Sequence, residues 1–429
     1  SIIENTVQVL KRLLPDSTIM IQNGDYSEAD MHRLEKNNFS KHLADEYYGS
    51  FFPKVFTKPP QRRAAALWGL FRNLMVSFSL HLSTSLSRGS RPPLPLLIPK
   101  RHRKAFKAIS ACDLVVVKGG SYIYSFGGFK QLLFIYRMLF TARIALRLKK
   151  PVVFLGHSIG PSQGFLMTSL IKNVLKRADH ILVRENISRD FVLKDMGISP
   201  EQVTLAPDLA FLATKSSEEE RKLALDQICM EEGISGVSNA DMLVGITVRD
   251  WSFPGKKDPA CLKANYLRVI AESIDFLQEK YQAKILFIPH CLDDLDTVEA
   301  VYALVQEKSK VFVLRQDYPS GTLRKFMGCL HFLIGTRIHS TIFAMSQHVP
   351  VIAVAYEIHK GFGILDMAGL RDYVIDIAEI RTETLAERIE SLLENHTIIA
   401  QELSATMTRL QSSLEETISS VLSGVDPRA

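Results

Sequence analysis

The stretch Phe332-Leu333-Ile334-Gly335-Thr336-Arg337-Ile338-His339-Ser340 sets the reading of the whole chain. Phe332–Gly335 is a short apolar run closed by glycine, which reads as a buried parallel strand. A helix then runs from Ser340 to Gln347. A strand that enters a helix through a short loop is the repeating step of a βαβ protein, and such steps wind right-handed into a parallel sheet. At the passage from strand to helix, open N–H groups and the helix dipole favour negative charge. Arg337 adds a planar fork that suits a carboxylate or a phosphate. His339 adds a group that gives or takes a proton near neutral pH.

Working outward, the next strand, Val349–Ala355, ends at Tyr356-Glu357, with His359-Lys360 following. Parallel strands of one sheet send their carboxyl ends to the same crevice. Tyr356, Glu357 and Lys360 are therefore expected near Arg337 and His339. Upstream, Met242–Thr247 leads to Arg249-Asp250-Trp251, and Ala283–Pro289 leads to His290 with Asp293 and Asp294 beyond. Val311–Leu314 and Tyr373–Asp376 complete this series, with helices Leu262–Tyr281 and Leu295–Lys308 between its strands. A plainer reading stands beside the functional one: Arg337 pairs with a structural carboxylate, and His339 and His290 are satisfied loop groups.

The first half repeats the step. Asp113–Lys118, Pro151–Gly156 and His180–Arg184 read as strands, with helices Lys130–Lys149, Leu166–Lys176 and Ser188–Asp195. The fold class is α/β with two Rossmann-like domains. The boundary falls after a break at Ala206-Pro207-Asp208. Domains are expected at 1–205 and 206–395, with a helical tail over 396–429 that crosses back to the first domain. The chain opens in a helix containing Ile3, Val7, Leu10 and Leu14, followed by a strand at Thr18–Gln22. That order suggests that a first strand and its loop belong ahead of Ser1. Residues 25–105 carry the least pattern.

Two glycine loops invite other chemistry. Gly119-Gly120-Ser121 lacks the spacing and the acidic partner of a dinucleotide fingerprint. Gly156-His157-Ser158-Ile159-Gly160 matches the nucleophile elbow of hydrolases. Its serine would need an acid and a later histidine from the same sheet, whereas a second complete βαβ series follows.

The 429 residues suit two or three domains. A net charge of +6 without a long basic run argues against nucleic acid and fits phosphate groups or acidic lipid headgroups. The five cysteines (Cys112, Cys229, Cys261, Cys291, Cys329) lie too far apart for a zinc cluster or a disulfide framework. No signal peptide is read at the start, so a cytoplasmic protein is expected. Ala64–Leu82 is the one stretch resembling a membrane span, but Arg72 and Asn73 interrupt it. It reads as a buried helix or as one lying on the bilayer, with Arg62-Arg63 before it and Lys100-Arg101-His102-Arg103-Lys104 after it.

The ordered set Val117-Lys118-Gly119-Gly120-Ser121, Gly156–Pro161, Arg184-Glu185 with Ser188, Ala206-Pro207-Asp208, Thr247-Val248-Arg249, Gly335–Ser340, Pro350 and Tyr356-Glu357 resembles the polysaccharide pyruvyl transferase family, colanic acid type. The resemblance implies two domains facing a cleft, similar to GT-B glycosyltransferases, with no metal and no cofactor. It implies phosphoenolpyruvate as donor, a saccharide acceptor, free or lipid-linked, and a cyclic pyruvate ketal as product. It also admits a peripheral place at the inner face of the membrane. His339 becomes the general acid, and Glu357 a base or a carboxylate facing the oxocarbenium. Arg337, Arg249, Ser340, Tyr356 and Lys360 become donor-binding. Lys118, Gly119, Gly120, Ser121 and His157 become the acceptor side. Two other classes stay open: glycosyl transfer from a nucleotide sugar, and carbohydrate binding without catalysis.

Overall fold

A computed structural model describes residues 2–22, 45–48, 71, 74–82, 84, 100–125, 127–238, 240–356 and 358–425, with the backbone alone at 2, 47, 48, 100, 101 and 358–360. The chain splits into two compact units. One holds Ile2–Leu209 with Leu414–Ala429, the other Ala210–Ser413.

In the amino-terminal unit, β1 (Met20–Gln22) pairs in parallel with β2 (Glu46–Tyr48). The main sheet is parallel and contains β3 (Val115–Lys118), β5 (Val152–His157), β7 (His180–Val183) and β8 (Val203–Leu205), in that spatial order. Every residue of β5 is buried, which is why its sequence is apolar without alternation. A second parallel pair joins β4 (Ile123–Ser125) to β6 (Ile159–Ser162). These strands and β8 were not read from the sequence, β6 because Gly160-Pro161 gives it the look of a turn. The helix Phe129–Arg147 buries Ile135, Leu139 and Phe140 in the same apolar cluster as Phe154 and Ile171. A Cβ on Gly119 would lie 2.5 Å from the Gly156 carbonyl oxygen. Only glycine lets the loop after β3 pass this close to the end of β5.

The carboxy-terminal unit contains a six-stranded parallel sheet. Its strands are β9 (Leu243–Thr247), β10 (Lys284–Phe287), β11 (Val311–Val313), β12 (Phe332–Gly335), β13 (Val351–Ala355) and β14 (Val374–Asp376). Their spatial order is β11-β10-β9-β12-β13-β14. The chain therefore starts in the middle, builds to one side, returns, and builds to the other. The reversal falls between β9 and β12, and in open parallel sheets that switch opens a crevice at the carboxyl ends of the strands. Helices Pro259–Tyr281 and Ile338–Ser346 pack over the sheet through buried residues such as Val269, Ile274, Ile342 and Phe343.

The carboxy-terminal tail is helical. It breaks at Asn395 into Thr382–Glu394 and His396–Gly424. The Asn395 amide donates to the Ser391 carbonyl at 2.8 Å, which satisfies one of the open acceptors at the helix end.

Candidate active site

Register alone brings the two strand-tip arginines together. β9 pairs with β12 so that Thr247 faces Gly335. Arg249 and Arg337 each lie two residues past that pair, on neighbouring strands at the sheet's switch point. β10 adds a third group at the same level. Ile246 faces Phe287, which carries His290 alongside Arg249. β13 adds Tyr356 just past Ala355, its last residue.

The tips are then stitched. The Thr247 hydroxyl accepts from the backbone N–H of Thr336 at 3.1 Å and of Arg337 at 3.3 Å. From the helix Pro259–Tyr281, the buried Tyr266 hydroxyl pairs with the Thr336 hydroxyl at 2.8 Å and accepts from the Arg249 N–H at 3.4 Å. Burial pushes the Tyr266 phenol up to about 12, so it stays a neutral hydrogen-bonding group. A Cβ on Gly335 would sit 2.5 Å from the Thr341 hydroxyl, so glycine permits the tight passage from β12 into its helix.

Arg337 is half-buried and doubly held by the buried carboxylate of Asp294, with Nε donating at 3.1 Å and Nη2 donating to the other oxygen. Nη2 also donates to the Cys291 sulfur at 3.4 Å. Burial by itself would lower the Arg337 pKa, but the Asp294 carboxylate outweighs it and the net direction is upward. The plainer reading of Arg337 is thus realised in part. Its Nε and Nη2 are committed, and among the described residues Nη1 remains for a ligand.

Arg249 is held by aromatic faces instead. Its guanidinium lies 4.1 Å from the centroid of Tyr356 and 5.4 Å from that of Trp251, and the two rings are 4.8 Å apart. A cation stacked on rings within about 6 Å is attracted by their faces. Its in-plane N–H groups stay available to an anion.

Two imidazoles complete the cluster. The His290 and His339 rings are nearly parallel with centroids 6.1 Å apart, and His290 Nδ1 shares a 3.0 Å hydrogen bond with the buried Ser340 hydroxyl. Burial, followed by the Arg337 cation, pulls His290 down to about 4. Its outer edge is exposed, so solvent softens the shift and only its direction matters: His290 favours the neutral ring. The helix Ile338–Ser346 starts without a side-chain cap, its N-cap being Arg337. Two guanidinium groups, an uncapped helix start and two imidazoles thus gather at one strand switch, an arrangement whose chemistry suits a small, multiply charged anion.

Residues 1–358 match the model of a family described as polysaccharide pyruvyl transferase. The chain belongs to that family. Membership makes it a transferase of polysaccharide biosynthesis with a saccharide acceptor. Among its relatives is the amylovoran biosynthesis protein AmsJ of Erwinia amylovora, 27% identical over 327 residues and covering 74% of each chain. Among solved structures, Anabaena HepE in complex with UDP-glucose superposes with a TM-score of 0.56 at 13% identity, over 99% of this chain and 96% of that one. The UDP-GlcNAc 2-epimerase of Neisseria meningitidis bound to UDP-GlcNAc gives 0.55 at 11% identity, over 99% and 97%. At such identities the likeness establishes the fold, which is of the GT-B-like kind.

The family motifs of the amino-terminal unit form a buried polar network. Arg184, 1% exposed, donates to the Ser158 hydroxyl at 2.7 Å, to the Asp208 carboxylate and to the Ser121 hydroxyl. Ser158 donates to Glu185 at 3.0 Å, as does Ser188, while the Ser188 hydroxyl accepts from the Ile159 N–H at 2.7 Å. Ser158 is therefore a buried member of this network, with Arg184 and Glu185 in the places where a nucleophile's histidine would sit. Lys118 and Gly120 are half-buried at the end of β3. His157 is wholly buried, and its Nε2 donates to the Val117 carbonyl at 3.1 Å, tying β5 to β3. Burial lowers its pKa to about 3. In this unit Gly119, Ser121 and His157 are taken up in packing and hydrogen bonds.

Glu357 lies outside the described residues. Lys360 lies in the helix Ile358–Met367 with only its backbone described. The sequence reading missed Tyr266, which looks like any apolar position of an amphipathic helix. It also passed over Trp251 as a platform and Asp294 as the partner of Arg337. Trp251 carries a faint signal, since it follows a strand-tip arginine by two positions.

Proposed function

We propose that the switch-point cluster binds phosphoenolpyruvate and that the protein transfers its enolpyruvyl unit to two hydroxyls of one sugar, forming a pyruvate ketal. The reading rests on one observation: Arg249 and Arg337 occupy equivalent positions on adjacent strand tips beside an open helix start. Phosphoenolpyruvate carries a carboxylate and a phosphate close together, and paired guanidinium groups suit that spacing.

In this reaction His339 gives a proton to the methylene carbon, which leaves positive charge on the carbon bearing phosphate. A sugar hydroxyl adds there and loses its proton to a base, the role we assign to Glu357. Inorganic phosphate then leaves and the second hydroxyl closes the ring. Of the two hydroxyl protons, one balances the proton now in the methyl group and the other departs with phosphate. Arg249, Arg337, Ser340, Tyr356 and Lys360 hold the donor. Lys118, Gly119, Gly120, Ser121 and His157 shape the unit that receives the saccharide, free or lipid-linked. The reaction needs no metal or cofactor, and its donor is a cytoplasmic metabolite.

Phosphate release from phosphoenolpyruvate is measured against a panel of saccharide acceptors. Release that depends on acceptor supports the proposal, and His339→Ala should lower it by about 10²–10⁴-fold. Thermal stabilisation by a nucleoside diphosphate, with none by phosphoenolpyruvate, would favour glycosyl transfer instead. Full turnover in His339→Ala would remove that residue from its role.

A further inference from the structure

One helix of the amino-terminal unit has a one-sided surface that the chemistry above does not use. It includes residues 71, 74–82 and 84. Its inward face carries Val76, Ser77, Ser79, Leu80 and Thr84, all buried. The exposed positions are Phe71 at 53%, Leu74 at 56%, Met75 at 38%, Phe78 at 60% and Leu82 at 47%. Their spacing of three, four and seven residues puts them on one stripe of the helix. Every exposed position described on this helix is apolar. A solvated helix face normally carries charge, so a stripe of this kind marks a contact surface.

Cations line one margin of the stripe. His81, at its margin, accepts a 2.9 Å hydrogen bond at Nδ1 from the exposed Arg147 and shares a 3.1 Å bond at Nε2 with the Tyr136 hydroxyl. The Arg143 guanidinium lies 4.9 Å from the Tyr136 ring centroid. Burial first, then the Arg143 and Arg147 cations, hold His81 down at about 4.

The helix runs in the same direction as Phe129–Arg147. Ser77 meets Tyr136, and four residues later His81 meets Phe140 with ring centroids 5.7 Å apart. The helix Phe129–Arg147 itself starts with an exposed apolar group. There Phe129 is 65% exposed. Because β4 pairs with β6, the helix that follows β6 begins at the same end, with Phe165 at 85% exposure.

We infer that this face is a docking surface for an anionic lipid bilayer, with Leu74, Met75, Phe78 and Leu82 entering the headgroup–acyl boundary and Arg143 and Arg147 facing the headgroup charge. An apolar stripe edged by arginine is the pattern of a helix that lies in a membrane interface. A second copy of the chain fits less well, because self-association would set cation against cation. Among the described residues no helix is long and apolar enough to cross a membrane. Surface docking would bring the enzyme to a lipid-linked acceptor, but it does not depend on the pyruvyl reading.

The test is flotation of the full chain with vesicles of phosphatidylcholine, with and without phosphatidylglycerol. Binding is expected to the mixed vesicles, to fall as salt screens the headgroup charge, and to be much weaker on phosphatidylcholine alone. Leu74→Ser with Phe78→Ser should lower partitioning by about tenfold or more. Arg147→Gln should lower it by about fivefold. Circular dichroism melting checks that these exposed substitutions leave the fold intact. Folded variants that partition like the wild type would overturn the inference. So would a wild type that floats with neither vesicle, or a double variant that loses only a dimer in sedimentation. Turnover is not read in this assay, so its outcome is separate from that of the catalytic proposal.

Discussion

Replacing Tyr266 by phenylalanine tests the construction of the site more sharply than replacing an arginine, because it removes one oxygen and no charge. That oxygen holds the Thr336 hydroxyl at 2.8 Å and the Arg249 N–H at 3.4 Å. The first is a good hydrogen bond and the second is at the weak edge of the range. A net contribution of about 1 kcal/mol for a good bond, with less for the weak one and some cost for unsatisfied buried groups, gives a loss of about 1–2 kcal/mol. For a unit of this size that is about 2–8 °C in Tm. The same change frees two strand tips, so phosphoenolpyruvate binding should weaken by about three- to tenfold. Urea unfolding reads the first quantity and titration calorimetry the second. Unchanged stability would mean that the hydroxyl does not bridge the tips. Lost stability with unchanged phosphoenolpyruvate affinity would mean that the tips do not form the donor site.

Other substitutions probe the remaining parts. Arg184→Met leaves Asp208 and Glu185 buried without their cation and should destabilise by about 3–5 kcal/mol in denaturant unfolding; a cost near zero would mean that the network is solvated. His157 has a folded pKa of about 3 against an ordinary 6.5. The unfolded chain therefore binds more protons across that window, and stability is lost as pH falls from 6.5 toward 3. The loss is bounded at about 5 kcal/mol, and a stability–pH series on His157→Gln should show a flatter slope there than the wild type. Trp251→Ala removes one of the two rings under Arg249, worth about 0.5–2 kcal/mol, while Trp251→Phe keeps most of it. A donor affinity identical in all three proteins would show that the platform is idle.

The strands of the carboxy-terminal unit were readable because a parallel strand buried on both faces becomes an unbroken apolar run, as in Leu243–Thr247 and Phe332–Gly335. Arg337 and His339 stood out for a related reason: a polar pair just after such a run falls at a strand tip. Residues outside such runs gave less. Ile159–Ser162 contains Gly160-Pro161 and reads as a turn, yet it pairs with Ile123–Ser125. The tail reads as helical from its apolar spacing, which continues past the break at Asn395. The single amide that ends the first segment has no effect on that spacing.

Sequence alone determined the alternation of strand and helix and the chemical character of each strand tip, since both depend on local apolar patterning. Tertiary structure decided which tips are neighbours. Thr247 and Gly335 are 88 positions apart, and only hydrogen-bond register sets them opposite one another. It also decided what restrains each arginine, a carboxylate for Arg337 and aromatic faces for Arg249. Those partners come from distant segments, and neither charge nor hydropathy along the chain encodes which distant segments will meet.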